Sequence, residues 1–165
     1  MLYGAARIST GKQSIERQIR NILEKYPTAK IIKETYTGTK LEGRKEFEKL
    51  LKVIRKGDII VFDEVSRMSR NSEEGCNLYE QLFNKGVDLI FLKEPHINTE
   101  VYRKALENQI NIRLNTGNKA TDELINTIID ALNKYTIELA KEQIKIAFDK
   151  AESEVKRLHE RTSEG

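Results

Sequence analysis

The sequence predicts an α/β fold: a mainly parallel sheet of four to five strands flanked by helices, followed by a long C-terminal oligomerisation helix. Three observations carry this expectation. Short aliphatic runs alternate with amphipathic stretches from Leu2 to Leu92, the pattern of strands joined by crossover helices. The runs are continuously apolar, as strands covered on both faces are. From Ala120 to Arg161 the chain carries neither proline nor glycine, while Leu124, Ile128, Leu132, Tyr135 and Leu139, then Ile144, Phe148, Ala151, Val155 and Leu158, recur at near-helical spacing.

In chain order, Leu2 to Ile8 reads as a first buried strand, and Ser14 to Tyr26 as a helix with Ile15, Ile19, Ile22 and Leu23 on one face, stopped by Pro27. Ile31 and Ile32 mark a second, shorter strand. Thr35 to Gly43 is a Thr- and Gly-rich loop, and Phe47, Leu50, Leu51 and Ile54 form a helical stripe for Gly57 to terminate. Ile59 to Phe62 is the third strand. Ser72 serves as N-cap to a helix with Glu73 and Glu74 in its first turn, running to Gly86. Val87 to Leu92 is the fourth strand. Between Pro95 and Gly117 one short helix is expected near Thr99 to Asn108, and the rest is treated as a connector. The final helix, at 1.5 Å per residue, would span roughly 60 Å. A domain this small does not cover such a rod, so part of its apolar stripe is expected to meet a second subunit. Residues 1–119 are thus expected to form one domain and residues 120–165 the long helix.

With 165 residues and 38% apolar composition the chain supplies one ordinary core. Its 29 basic and 26 acidic side chains leave a net charge of only +3, so any basic surface for a polyanion is local. Lone Cys76 excludes an internal disulfide and a cysteine zinc cluster, and the first residues lack a signal-peptide pattern, which points to the cytoplasm. No stretch approaches the roughly 20 apolar residues of a membrane helix. His96 and His159 lack partners at metal-ligand spacing, and Asp58, Asp63 and Glu64 are too few for a two-metal nuclease. Gly38 and Gly43 fit neither a P-loop nor a dinucleotide fingerprint. No metal, cofactor, nucleotide or membrane is expected.

The chemistry-bearing segments lie just past strands. Arg7-Ile8-Ser9-Thr10-Gly11-Lys12-Gln13 follows the first and Ser66-Arg67-Met68-Ser69-Arg70-Asn71 the third; in parallel sheets, reactive groups gather beyond the carboxyl ends of strands. Taken singly, each residue has an ordinary role: Thr10 with Gln13 makes a capping box, and the arginines make solvated surface. Together they set one hydroxyl among several arginines. That arrangement suits attack on a phosphodiester, because fixed positive charge stabilises the negative charge that builds on phosphate, and arginine grips phosphate oxygens in pairs without losing its charge near neutral pH.

In this combination the chain resembles the serine recombinases of the resolvase and invertase type over essentially its whole length. The family's first signature is met by Arg7, Ile8, Ser9, Thr10 and Gln13, with Ala5 where a tyrosine is usual; the second is met by Arg67, Arg70 and Asn71, with Ser66 where an acid is usual. Arg44 resembles a further active-site arginine, Gln18 a second glutamine, and Glu160-Arg161-Thr162 the signature of the long helix. The resemblance implies a resolvase-like catalytic domain in which Ser9 attacks a DNA phosphate to form a 5′-phosphoserine. Arg7, Arg67 and Arg70 would surround that phosphate, Arg44 and Arg161 would complete the charge, and Gln13 and Gln18 would hold the Ser9 loop. It implies DNA as partner, dimers and tetramers through the long helix, and a further C-terminal DNA-binding domain that is absent from this chain. The alternative is a non-catalytic, dimeric DNA-associated regulator on the same fold, in which Ser9 is only a cap.

Overall fold

The computed structural model describes residues 1–9 and 15–165. Four strands, β1 (Leu2–Ile8), β2 (Lys30–Thr35), β3 (Ile59–Phe62) and β4 (Asp88–Phe91), form one sheet in the order β2-β1-β3-β4. Each neighbouring pair is parallel, with Ala5 opposite Ile32 on one side and Phe62 on the other. Helices α1 (Ile15–Lys25), α2 (Lys45–Val53), α3 (Val65–Met68), α4 (Ser72–Lys85), α5 (Thr99–Glu107) and α6 (Lys119–Ser163) complete the chain, with a 3-10 turn at Pro95–Ile97. The expected parallel sheet and long C-terminal helix are both present.

The two sheet faces are filled differently because side chains alternate along each strand. Tyr3, Ala5, Ile60, Phe62, Leu89 and Phe91 face the larger core, which α2, α4, α5 and α6 cover. Phe62 stacks on Phe91 with ring centroids 5.4 Å apart, and Phe148 of α6 meets Phe91 edge-on at 6.5 Å. The opposite face, with Val61 at its centre, takes Ile22 and Ala29. There α1 lies so close that a Cβ on Gly4 would fall 2.8 Å from Ile22 Cγ2, so only glycine lets the helix settle at that distance.

Two local expectations are corrected, and a third is resolved into its parts. The N-cap of α4 is Asn71, whose side chain accepts the Glu74 amide at 2.9 Å, while Ser72 is the first helical residue. Asparagine caps as well as serine does, and Ser72 is drawn instead toward α6: its hydroxyl donates to Asp149 and its amide to Glu152 Oε2, 2.9 Å away. Those carboxylates sit where the unpaired amides of α4 favour negative charge. Gly57 does not terminate α2, which is capped at Ile54; its positive φ of 87° serves the turn into β3. Finally, the stripe on α6 is divided. Ile144, Phe148, Ala151 and Val155 are buried against the chain's own domain, whereas Leu124, Ile128, Leu132, Tyr135 and Leu139 are exposed.

The connector before α6 is an extended strap along its first half. The Asn133 side-chain amide pairs with both the N–H and the C=O of Ile110, and Asn126 does the same with Leu114. Arg113 adds an ion pair to Asp130.

Candidate active site

Strands β1 and β3 are adjacent and parallel, so residues beyond their carboxyl ends converge. Ser9 follows β1 directly, and one turn of helix, α3, carries Ser66 and Arg67 past β3. Arg70, just after α3, donates a hydrogen bond to the Ser9 hydroxyl oxygen. A charged donor on that oxygen favours the alkoxide form and so favours nucleophilic attack.

Arg7 is the last residue but one of β1 and is 2% exposed. Its guanidinium donates to the Ser66 carbonyl at 2.6 Å. Its main chain is held from α1, where Gln18 accepts the Arg7 N–H at 3.1 Å and donates to the Arg7 carbonyl at 2.9 Å. Gln18 therefore anchors the end of the strand that carries Ser9. Arg67 forms a 2.9 Å ion pair with Glu64. Arg44 is buried and committed to internal acceptors: Glu34 Oε2 at 2.7 Å, the Arg67 carbonyl at 3.1 Å and the Met68 carbonyl. It holds the backbone of the arginine segment in place and stacks over the Phe47 ring.

Four guanidinium groups thus share one strand end. Burial, reinforced by Arg70, Arg44 and Arg67, pushes the Arg7 guanidinium down from its ordinary value to about 9. Burial and then the charge of Arg67 lower Arg70; burial lowers Arg44 against the opposing pull of Glu34. Positive charge gathered and partly buried in this way carries a cost that an incoming anion would relieve. The Nε atoms of Arg7, Arg67 and Arg70 are buried without a hydrogen-bond partner, which leaves unused donors where a phosphate would bring acceptors.

Of the residues singled out in the sequence, Ser9, Arg7, Arg44, Arg67, Arg70 and Gln18 come together in this network. Gln13 lies outside the described residues. Arg161 is exposed in the last turn of α6. Sequence reasoning weighed Glu64 and Asp63 only as metal ligands and passed over Glu34, and so missed how acids order the arginines. Glu34 lies at the end of β2 in register with Arg7, and its position at a carboxyl strand end was the available signal. Glu64 accepts the Ser66 hydroxyl at 2.5 Å and Lys93 Nζ at 2.7 Å. Asp63, buried beside it, accepts from Asn21 at 2.9 Å. Asp58 lies at the opposite end of β3, so the three acids near this strand do not converge. Among the described residues, no group of three or more His, Cys, Asp or Glu side chains could hold a metal ion. No helix among them is long and apolar enough to cross a membrane.

The family model described as the resolvase N-terminal domain matches residues 2–157. The chain belongs to the resolvase family. A resolvase from Clostridium perfringens (strain 13 / Type A) is 34% identical over 101 residues, covering 60% of this chain and 52% of that protein. A second Clostridium perfringens resolvase is 28% identical over 143 residues, covering 86% of this chain and 72% of its relative. Among solved structures, a resolvase family site-specific recombinase from Streptococcus pneumoniae is 20% identical, with a TM-score of 0.47 over 96% of this chain and 97% of that one. The chain spans about half the length of the first of these relatives. Ser9, Arg67 and Arg70 lie within the matched residues.

Proposed function

We propose that this resolvase-family chain is the catalytic part of a serine site-specific recombinase acting on DNA. In this reading the Ser9 oxygen attacks a backbone phosphorus. A serine–phosphate ester forms at the 5′ end, the bond to the 3′ oxygen breaks, and that oxygen leaves as a hydroxyl after taking up a proton; reversal onto a new 3′ hydroxyl rejoins the strand. The phosphodiester bond energy is retained throughout, so no nucleotide is consumed. Arg70 polarises the nucleophile, and the unpaired Nε donors of Arg7, Arg67 and Arg70 meet the phosphate oxygens. Arg44 and Gln18 act behind them, fixing the backbone of the arginine segment and of β1. Gln13 is assigned to the Ser9 loop and Arg161 to a DNA contact on the long helix.

The observation that carries this reading is the Ser9 hydroxyl, held by Arg70 at a strand end that Arg7 and Arg67 share, with the buried Nε donors of all three arginines unused. The exposed apolar residues Leu124, Ile128, Leu132, Tyr135 and Leu139 support assembly with a second copy through the first half of α6, and dimers and tetramers are the assemblies expected for strand exchange. The test is incubation of the chain, joined to a DNA-binding module of known site, with nicked DNA that traps cleavage, followed by denaturing electrophoresis. A protein–DNA adduct lost in Ser9→Ala is expected; DNA binding with no adduct in either protein would favour a non-catalytic regulator.

A further inference from the structure

Glu64 is the extended residue between β3 and α3, two residues ahead of Ser66. One oxygen, Oε1, receives the Ser66 hydroxyl at 2.5 Å and faces the Arg67 guanidinium at 2.9 Å. The other, Oε2, receives Lys93 Nζ at 2.7 Å from the end of β4. A carboxylate tied at both oxygens has little rotational freedom, so it fixes what it touches. Burial alone would raise the Glu64 carboxyl, but the hydrogen bonds from Lys93 and Ser66 and the charge of Arg67 hold it below its ordinary value. It is therefore charged at neutral pH. Arg67 has a buried Nε with no hydrogen-bond partner among the described residues, and its guanidinium is ion-paired with Glu64; the Ser66 carbonyl in turn receives Arg7. A single acid thus governs the loop that aims two of the arginines.

We propose that Glu64 is the positioning residue of the site: it orients Arg67 directly and Arg7 through Ser66, and so sets the rate of strand cleavage without touching DNA. This inference rests on the recombinase reading. It also makes a spatial claim. Because the Ser66 hydroxyl lies against Glu64 Oε1, a carboxylate carried by residue 66 itself would fall next to the same guanidinium and could take over the task.

The test uses the adduct assay under single turnover at saturating DNA, with wild type, Glu64→Gln, Ser66→Asp and the double variant Glu64→Gln/Ser66→Asp. Glu64→Gln keeps shape and removes charge, and is expected to slow adduct formation on the order of 10- to 100-fold, the scale of a catalytic group displaced by about 1 Å. Its DNA affinity and melting temperature should stay close to wild type. The double variant should recover most of the rate, which a merely structural loss would not allow. Glu64→Gln cleaving within about two-fold of wild type, or a double variant as slow as Glu64→Gln, would overturn the inference while leaving the recombinase reading intact. Absence of an adduct from wild type would overturn both.

Discussion

Arg44 and Glu34 form an ion pair with 2.7 Å between Nε and Oε2 and both side chains more than nine-tenths withdrawn from solvent. Glu34 also faces the Phe47 amide at 3.4 Å, and Arg44 reaches on to the carbonyls of Arg67 and Met68. The pair links the sheet edge at β2, the start of α2 and the segment that carries Arg67 and Arg70. Removing either partner strands the other charge in the interior, which costs about 3–5 kcal/mol, whereas replacing both with apolar residues of similar volume is often near neutral.

Arg44→Ala and Glu34→Gln should therefore each lower the unfolding free energy by several kcal/mol, at about the scale just given. The double variant Arg44→Met/Glu34→Leu should recover much of that loss while leaving cleavage impaired, because the carbonyls of residues 67 and 68 lose their clamp. Urea unfolding of the three proteins checks the first statement and the adduct assay the second. Additive losses in the double variant would contradict the pairing.

The depressed Arg7 guanidinium gives a pH dependence with a definite sign. In the folded chain the proton leaves as pH rises through about 9, whereas the unfolded chain keeps it to the higher, ordinary value of arginine. In that window the unfolded state binds more protons, so stability rises with pH, and the penalty of the buried cation is present in full below it. Wild type should gain stability relative to Arg7→Gln between about pH 8 and 10, and adduct formation should decline over the same range as the charge is lost. Urea titrations of both proteins across that range, with parallel curves as the contrary result, decide it.

Gly75 sets how closely α4 approaches the long helix. A Cβ there would lie 2.6 Å from Phe148 Cε1 and 3.0 Å from Ser69 Cβ, closer than packed carbons tolerate. Gly75→Ala should cost about 1–3 kcal/mol through overpacking despite alanine's better helix propensity. Phe148→Leu in the same chain should relieve part of the clash, giving a non-zero coupling in a double-mutant cycle of melting temperatures.

The strand and helix order was legible because strands covered on both faces are written as unbroken apolar runs, as at Ile59 to Phe62. The single turn α3 was not, since four residues carry no periodicity to read. The strap was equally hidden: Asn126 and Asn133 bind the backbone of Leu114 and Ile110, contacts that exist only once the helix has formed and that place no demand on the strap's own side chains. At the site, Ser9, Arg7, Arg67 and Arg70 could be found because strand ends in a parallel sheet have a known fate. Their acidic partners could not, because which carboxylate reaches which guanidinium depends on register: Glu34 lies beside Arg7 only through the β1–β2 pairing. The division of the α6 stripe into a buried and an exposed half likewise depends on where α4 and α5 come to rest against it.

Phe148, locked edge-on to Phe91, and Asp149 and Glu152, bound to the first residue of α4, fasten α6 near its C-terminal third. From there to Lys119 the helix runs about eight turns, or about 43 Å. A tilt of about 10° at that fastening would carry the far tip through about 7 Å on a helix of this rise. The fastening also adjoins α3, and hence Arg67. The geometry is that of a needle on a dial, with the arginines beside the pivot and the exposed apolar residues Leu124 and Ile128 near the tip.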